Sequence, residues 1–599
     1  MFNRLMTLVF LLLIATGCGG GAGGDGDSLS IMPPPKDPPY PPTGLVGMAL
    51  SHTEIELNWR DTSVDELGFM IERSDNAIDF VQIGKVPFDT TVYKDTGLSE
   101  YTTYFYRVKT FNCLGDSLPC GIAEARTLAV PWSRTYGNAL CDMGQSVLQT
   151  QTGGFIVLGS TQCHGAWCET RILQLDGRGE IDWERAYRMD EFFRGCSLHQ
   201  TVDGGIMVIG TMEKTQHNGH IEYATEEKAI ICFKLDSKGD VEWSKIIEGG
   251  VLEAYTSCVS ENGDFLVAGS IETSSGDEDI LLLQLNSKGK IRQQIKFGGG
   301  RKDSAFAIVD FGADEDYRIV IAGSTNSFDK PVPFRQMNPS LRNPESRDPG
   351  DSHKLGRICD AWIVSIKYKR TGQLISDDWK IDWERTYGGS GREEARSICI
   401  DDSGNFVVAG WIENMDTGRD MWAFKIDPVG ELLWQKYYVR PNGYMPTSNS
   451  DRALSVVMAS EGHLALLGTI GNDTGNSYDY WLLKLFQSGT PKWQRRVLAG
   501  AFDEDGSLTT AQDGGLLIVG TMAAGSFGKD LVILKTNCNG TIDFNHGSGV
   551  RMMDTDCLML KSDVSCVDTN ATMENTRLRA RPVVVDVVGT KVIVSQLAP

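Results

Sequence analysis

The chain has 599 residues and a formal net charge of −22 at neutral pH. So acidic a surface repels phosphate backbones, which excludes nucleic acid as a partner on electrostatic grounds. The length leaves room for several separate cores.

The chain opens on MFNRLMTLVFLLLIATGC, with Arg4 ahead of a largely apolar run that ends near Ala15. Spanning a bilayer takes roughly 20 apolar residues, so this run is too short. A charged start, an apolar middle and small residues at the end make up a secretory signal. Ala15-Thr16-Gly17-Cys18 resembles the lipobox of bacterial lipoproteins, although Ala15 stands where that family usually has leucine. The resemblance implies that Cys18 is lipidated and becomes the new N-terminus. A flexible GGGAGGDGD tether at Gly19–Asp27 and a stiffer PPPKDPPYPP spacer at Pro33–Pro42 then hold the rest clear of a membrane surface. The expected location is a bacterial cell envelope, at the outer membrane or cell surface.

Fourteen cysteines in an oxidising compartment invite disulfides. Short loop spacings favour Cys113/Cys120, Cys163/Cys168 and Cys557/Cys566. Cys232, Cys258 and Cys399 fall inside strand-like runs and read as small buried apolar residues.

From 41 to 128, short runs such as IELNWRD, GFMIERS and YFYRVKT alternate apolar and polar residues between turn-rich segments, the mark of a β-sandwich. PPTGL, Trp59, ELGFMIERS and the set Leu98, Thr102, Tyr104, Tyr106 and Val108 resemble a fibronectin type III domain. The resemblance gives Trp59 and Tyr104 structural roles, in the core and at a corner of the sheet. Such a fold serves as spacer or binding module and names no activity.

From 130 to 546 one rhythm repeats. An apolar run closes on glycine seven times, at Gly159, Gly210, Gly269, Gly323, Gly410, Gly468 and Gly520. Tight turns rich in Gly, Asn and Asp precede most of these runs. A second apolar phrase and a second glycine turn follow, and four residues later comes an aromatic, as from Gly179 to Trp183 or Gly430 to Trp434. The anchor positions 132, 183, 243, 293, 383, 434, 493 and 544 fall 50 to 60 apart, save one step of 90. Four strands per repeat of about 50 residues is the measure of a propeller blade. The expected fold is therefore all-β, a fibronectin type III sandwich followed by a seven-bladed β-propeller. The repeats resemble a broad group of bacterial surface propellers. Eight anchors for seven blades mean that VPWSRTY or GTIDF closes the ring, and closure by mixing the two chain ends is expected. The tail, 547–599, reads as a disulfide-closed hairpin at DCLMLKSDVSC and a second strand pair around a GT turn.

Tight turns occupy one face of such a propeller, and long dissimilar loops the other, where ligands are usually met. Trp167, Phe192, Phe193, Trp411 and Tyr444 lie in or beside those loops and are the candidate ligand-face residues, set to stack on sugar rings or else to pack between blades. The insertion between Thr325 and Arg357 is basic and rich in proline. Catalytic, metal and cofactor residues are not expected. Eight histidines are few, and His217 and His220 lack a third ligand at useful spacing. The D-x-x-G-x-I-x-W phrase resembles the tryptophan-docking motif of quinoprotein propellers, where the tryptophan reports architecture and not cofactor. The expected function is a lipid-anchored binding or assembly scaffold for an envelope protein or glycan. The alternative is a propeller enzyme acting on polysaccharide or using a quinone.

Overall fold

The computed structural model describes residues 37–542, apart from 138–140, 165–166, 189–191, 218–221, 261–262, 273–275, 313–316, 328–358, 369, 372–373, 376–378, 389–390, 415–417, 440–450, 472–477 and 525–527; beyond 542 it describes seven short strands between 551 and 595. These residues are almost entirely β-structure and form two units, divided between Val130 and Pro131.

In the first unit, Thr43–Ala49, Glu54–Arg60 and Val92–Thr96 make one antiparallel sheet. The other sheet is built on Val81–Pro87, Gly68–Ser74 and Thr103–Asn112. Alternation puts Ile55, Leu57, Phe69, Ile71, Tyr106 and Val108 into one core with Trp59. The Tyr104 hydroxyl accepts the Ser99 backbone N–H at 3.0 Å, tying down the corner that the sequence assigns to it.

Among the described residues the second unit holds seven antiparallel groups of four strands, here called sheets 1 to 7, of which 6, 7 and 1 run into one another through the long strand Pro491–Thr510 and a single parallel bridge between Cys141 and Lys529. Sheet 1 contains Cys141–Gln149, Phe155–His164, Trp167–Leu175 and Ile181–Arg188 in that order. Sheets 2 to 6 repeat the order within 192–248, 252–298, 303–388, 393–439 and 452–498. Sheet 7 takes the end of the long strand Pro491–Thr510, then Leu516–Ala524 and Gly528–Lys535. Its fourth strand is Trp132–Gly137, from the other end of the unit, with Arg134 opposite Ile533. VPWSRTY is thus the phrase that joins the two ends, and Thr541 and Ile542 of GTIDF lie outside any strand.

Each first strand lies beside the first strand of the next sheet, and the last lies beside that of sheet 1. The seven apolar clusters of this unit follow the same order. One, for example, joins Leu517, Val519, Leu531 and Ile533 of sheet 7 to Val147, Phe155, Val157 and Leu173 of sheet 1. A lone sheet of this size leaves its faces wet, so burial comes from its neighbours.

Close packing explains the seven repeated glycines. Each first strand carries a bulge near its start, as between Ala254 and Thr256 or Ala395 and Ser397. There, in six of the seven sheets, the first-strand carbonyl turns onto the glycine of the second strand, while at Gly520 the Tyr480 hydroxyl takes that place. A Cβ at Gly269 would overlap the Glu253 carbonyl, and one at Gly410 the Glu394 carbonyl.

A second set of contacts links every sheet but the third to the next. The Trp132 indole N–H donates to the Gly177 carbonyl at 3.0 Å, Trp383 to Pro428 at 3.0 Å and Trp434 to Gln487 at 2.9 Å. Each acceptor lies in the turn between third and fourth strands of the following sheet. Tyr136, Tyr187, Tyr387 and Tyr438 donate their hydroxyls to Gly179, Gly239, Gly430 and Gly489 in the same turns, at 2.7 to 2.8 Å.

At the opposite end of the sheets lie buried carboxylates. Asp303 accepts from the Gly299 N–H at 2.7 Å, Ser327 Oγ at 2.8 Å and Thr325 Oγ1 at 2.5 Å. Burial still pushes its carboxyl up to about 6, with Asp279 of the preceding sheet adding repulsion. Lys296, 3.4 Å from Asp279, is the cation nearest that pair among the described ion pairs.

Two of the expected features are corrected. Cys113 and Cys120 are free thiols. Cys113 is exposed at the end of its strand, whereas Cys120 Sγ is turned inward against the Val108 N–H at 3.1 Å. The tail also forms no hairpins among its described strands. Leu558–Leu560 pairs with sheet 5 and Ser565–Asp568 with sheet 4, while Asp586–Val588 pairs with sheet 1 and Ile593–Ser595 with Trp132–Gly137. Cys18 and Cys557 lie outside the described residues, as do the side chains of Cys163, Cys168 and Cys566.

Two outcomes follow from this packing. Gly269→Ala forces the bulge to move and is expected to destabilise by about 1–3 kcal/mol, read from the urea midpoint. For Asp303, a raised folded pKa means that the folded state holds the proton more tightly. Its contribution is full below about pH 4 and is lost as pH rises through about 6, on the order of 2–3 kcal/mol. Urea midpoints measured from pH 4 to 7 are expected to flatten in Asp303→Asn.

Candidate functional site

The first strands of sheets 3 and 5 alternate buried and half-exposed residues from their starts. In Leu252–Val259, Leu252 and Ala254 are buried while Glu253 and Tyr255 are half-exposed. In Glu393–Ile400, Glu393 and Ala395 are buried while Glu394 and Arg396 are half-exposed. Phe306 takes the matching place in Asp303–Phe311. Because these first strands are neighbours, their half-exposed side chains form one strip across sheets 3, 4 and 5.

The strip is tightly coupled. Lys228 Nζ and the Tyr255 hydroxyl both donate to the Glu253 carboxylate, and Lys228 lies 3.7 Å from Glu213. The Tyr255 and Phe306 rings are 5.5 Å apart at 55°. Arg396 stands over the Phe306 ring at 4.4 Å and pairs with Glu394. Burial acts on Glu253 to raise its pKa, but the hydrogen bonds from Lys228 and Tyr255 win and hold it low. Burial dominates at Glu394 and pushes it up, against the field of Arg396, Arg419, Arg452 and Lys302. The strip therefore offers two aromatic faces and alternating charge, with the Arg396 side chain 36% exposed and Lys302, paired to Glu278, 54% exposed. Such a surface can stack on a ring and hold polar or anionic groups beside it.

Further along the same strands, His199 Nε2 and Ser257 Oγ are 2.8 Å apart, and Ser257 bonds Ser197 at 2.8 Å. Burial pushes His199 down to about 4, so the imidazole is neutral and a weak base for activating either serine. The cluster ties sheet 2 to sheet 3. In the first unit, the carboxylate oxygens of Asp61, Glu66 and Asp89 come within 4.8 Å of one another. Burial and its two neighbours raise Glu66, so that group shares protons more readily than it holds three charges.

The expected ligand-face aromatics fare differently. Phe193 and Trp411 are buried, each 4% exposed, and present no free ring to a sugar. Phe193 packs edge-on to Phe233 at 5.6 Å, and Trp411 lies under the Arg419 guanidinium at 4.3 Å. Phe193 belongs to the cluster that joins sheets 1 and 2. The side chains of Trp167 and Phe192 lie outside the described residues, as do Tyr444, His220 and most of the insertion. The strip of Glu253, Tyr255, Phe306, Glu394 and Arg396 went unseen in the loop-based reading. Its signal was present, in the residues one and three places beyond the start of the first strands, once the repeats are laid against one another.

No family model matches the chain, and no curated protein is similar to it. Solved structures similar to part of it are fibronectin type III domains. FN3tt is 23% identical and covers 15% of this chain and 95% of its own, with a TM-score of 0.14. An Fn3-like protein from Clostridium thermocellum is 23% identical over 15% of this chain and 96% of its own, also with a TM-score of 0.14. Titin domains A168–A170 are 21% identical over 15% of this chain and 32% of their own, again at 0.14.

Proposed function

We propose that the chain is a lipid-anchored, extracytoplasmic scaffold without catalytic activity, built from a fibronectin type III domain and a seven-bladed β-propeller. It recognises an envelope glycan or a glycan-bearing protein at the propeller mouth. The order of sheets and clusters, in which the last meets the first, supports the propeller. Signal-like residues, a lipobox-like ATGC and the Gly/Pro tether support the anchor. The observation that carries the binding reading is the strip from Lys228 through Glu253, Tyr255 and Phe306 to Arg396 and Glu394. It lies at the end of the first strands farthest from the tight turns, where the connections between strands differ in length from sheet to sheet. Aromatic faces flanked by paired charges suit a sugar ring carrying acidic groups.

A soluble form beginning at Gly19 can be screened against acidic and neutral glycans and against envelope extracts. Arg396→Ala, and separately Lys228→Ala, are expected to weaken capture of the acidic class about tenfold, or 1.4 kcal/mol. Equal capture by parent and variants would move recognition away from the strip, and turnover of a captured polysaccharide would favour an enzyme.

A further inference from the structure

The seven strands of the tail begin at 551, 558, 565, 572, 579, 586 and 593, one every seven residues. They pair, in reverse chain order, with the fourth strands of sheets 6, 5, 4, 3, 2, 1 and 7. Every sheet of the second unit receives one strand, and every tail strand has a sheet. The second residue of each heptad is apolar: Met552, Met559, Cys566, Met573, Ala580, Val587 and Val594. The register sets these opposite Val497, Tyr438, Tyr387, Phe297, Ile247, Tyr187 and Tyr136. All seven of those partners are buried. The residue just before each strand is apolar as well, Val550, Cys557, Val564, Ala571, Leu578, Val585 and Val592, whereas the first residues of the strands, Arg, Leu, Ser, Thr, Arg, Asp and Ile, follow no such rule.

We propose that residues 551–599 are a strap that reads the unit by length, one heptad per sheet, and that the outer edges of the seven sheets form a strand-accepting surface whose occupant is this chain's own tail. An extended heptad reaches about 23–25 Å, and this reach sets the step from one outer edge to the next. Affinity at each edge comes from main-chain hydrogen bonds, which carry no sequence information. Specificity comes from period and direction: the tail starts beside sheet 6 and the links are three or four residues long, so each strand can reach only the next edge. The registers are therefore interchangeable. The strap covers the edges that an open sheet would offer to other chains. Its last register falls on Trp132–Gly137, the strand that joins the two ends of the unit, so the chain's final residues guard that joint.

Interchangeable registers make a non-local prediction for hydrogen exchange on the full chain. Deleting residues 565–571 removes the strand that pairs with Lys380–Gly388. Thr572 and its successors are expected to move on by one sheet. Exchange should then rise, by about tenfold or more, at the unstrapped Trp132–Gly137, while Lys380–Gly388 stays protected. Replacing 565–568 with prolines keeps the length but removes the main-chain donors of that strand, so exchange should rise at Lys380–Gly388 alone. A deletion that exposes Lys380–Gly388 and leaves Trp132–Gly137 protected would overturn the proposal, since each strand would then recognise its own sheet. Unfolding of both variants would overturn it too, and so would protection that depends on protein concentration, which would put a second copy's tail on the edges.

Discussion

Everything in the second unit depends on one contact, an aromatic of a fourth strand set down on the glycine turn of the next sheet. Trp132 lies against Gly179, Trp183 against Gly239, Trp383 against Gly430 and Trp434 against Gly489. A Cβ at Gly179 would stand 2.9 Å from the Trp132 ring, and the turn itself needs a positive φ there, +79°. Glycine thus satisfies two demands at once, backbone conformation and room for an indole. The series has one break, where Gln293 takes the aromatic's place in sheet 3 and sheet 4 lacks the short turn. Sheet 4 instead buries Trp379 in the cluster that joins it to sheet 3.

This contact makes each sheet's stability a property of its neighbours. It also explains why the strand Trp132–Gly137 matters out of proportion to its six residues. Trp132 docks on sheet 1, Arg134 and its neighbours pair with sheet 7, and Ile593–Ser595 of the strap covers the remaining edge. In the proposed propeller the chain ends meet at this strand from both sides. A scaffold held by its N-terminal end and loaded by a ligand would carry tension through it.

Much of this was legible in the sequence, because repetition averages out local ambiguity. Seven glycines after seven apolar runs set the sheets, and the aromatic four residues past each turn set the docking. The joint at VPWSRTY was one of two stated alternatives. What failed were inferences from adjacency. Cys113 and Cys120 are close in sequence, but a strand end and an inward-turned loop part their thiols. Phe193 and Trp411, by contrast, were open to either a ligand-facing or a packed reading, and both are buried. The tail looked like two hairpins because apolar strands near each other in sequence usually pair. Its seven-residue period was present, with two apolar positions per heptad shared throughout, but its meaning needed the partner sheets. The strip of Glu253, Tyr255, Phe306 and Arg396 was hidden for a similar reason, since its members come together only when first strands lie side by side.

The central claim is that the sheets stand or fall together through contacts between neighbours, with a docked aromatic at six of the seven steps. Native-state hydrogen exchange on Trp132→Ala tests it most directly, because the substitution removes one docking aromatic and touches only sheets 7 and 1. A buried tryptophan lost to alanine costs about 3–5 kcal/mol. The account predicts that exchange rises by a similar factor in the first strands of all seven sheets. A rise confined to sheets 7 and 1, with sheets 3 to 5 unchanged, would contradict it.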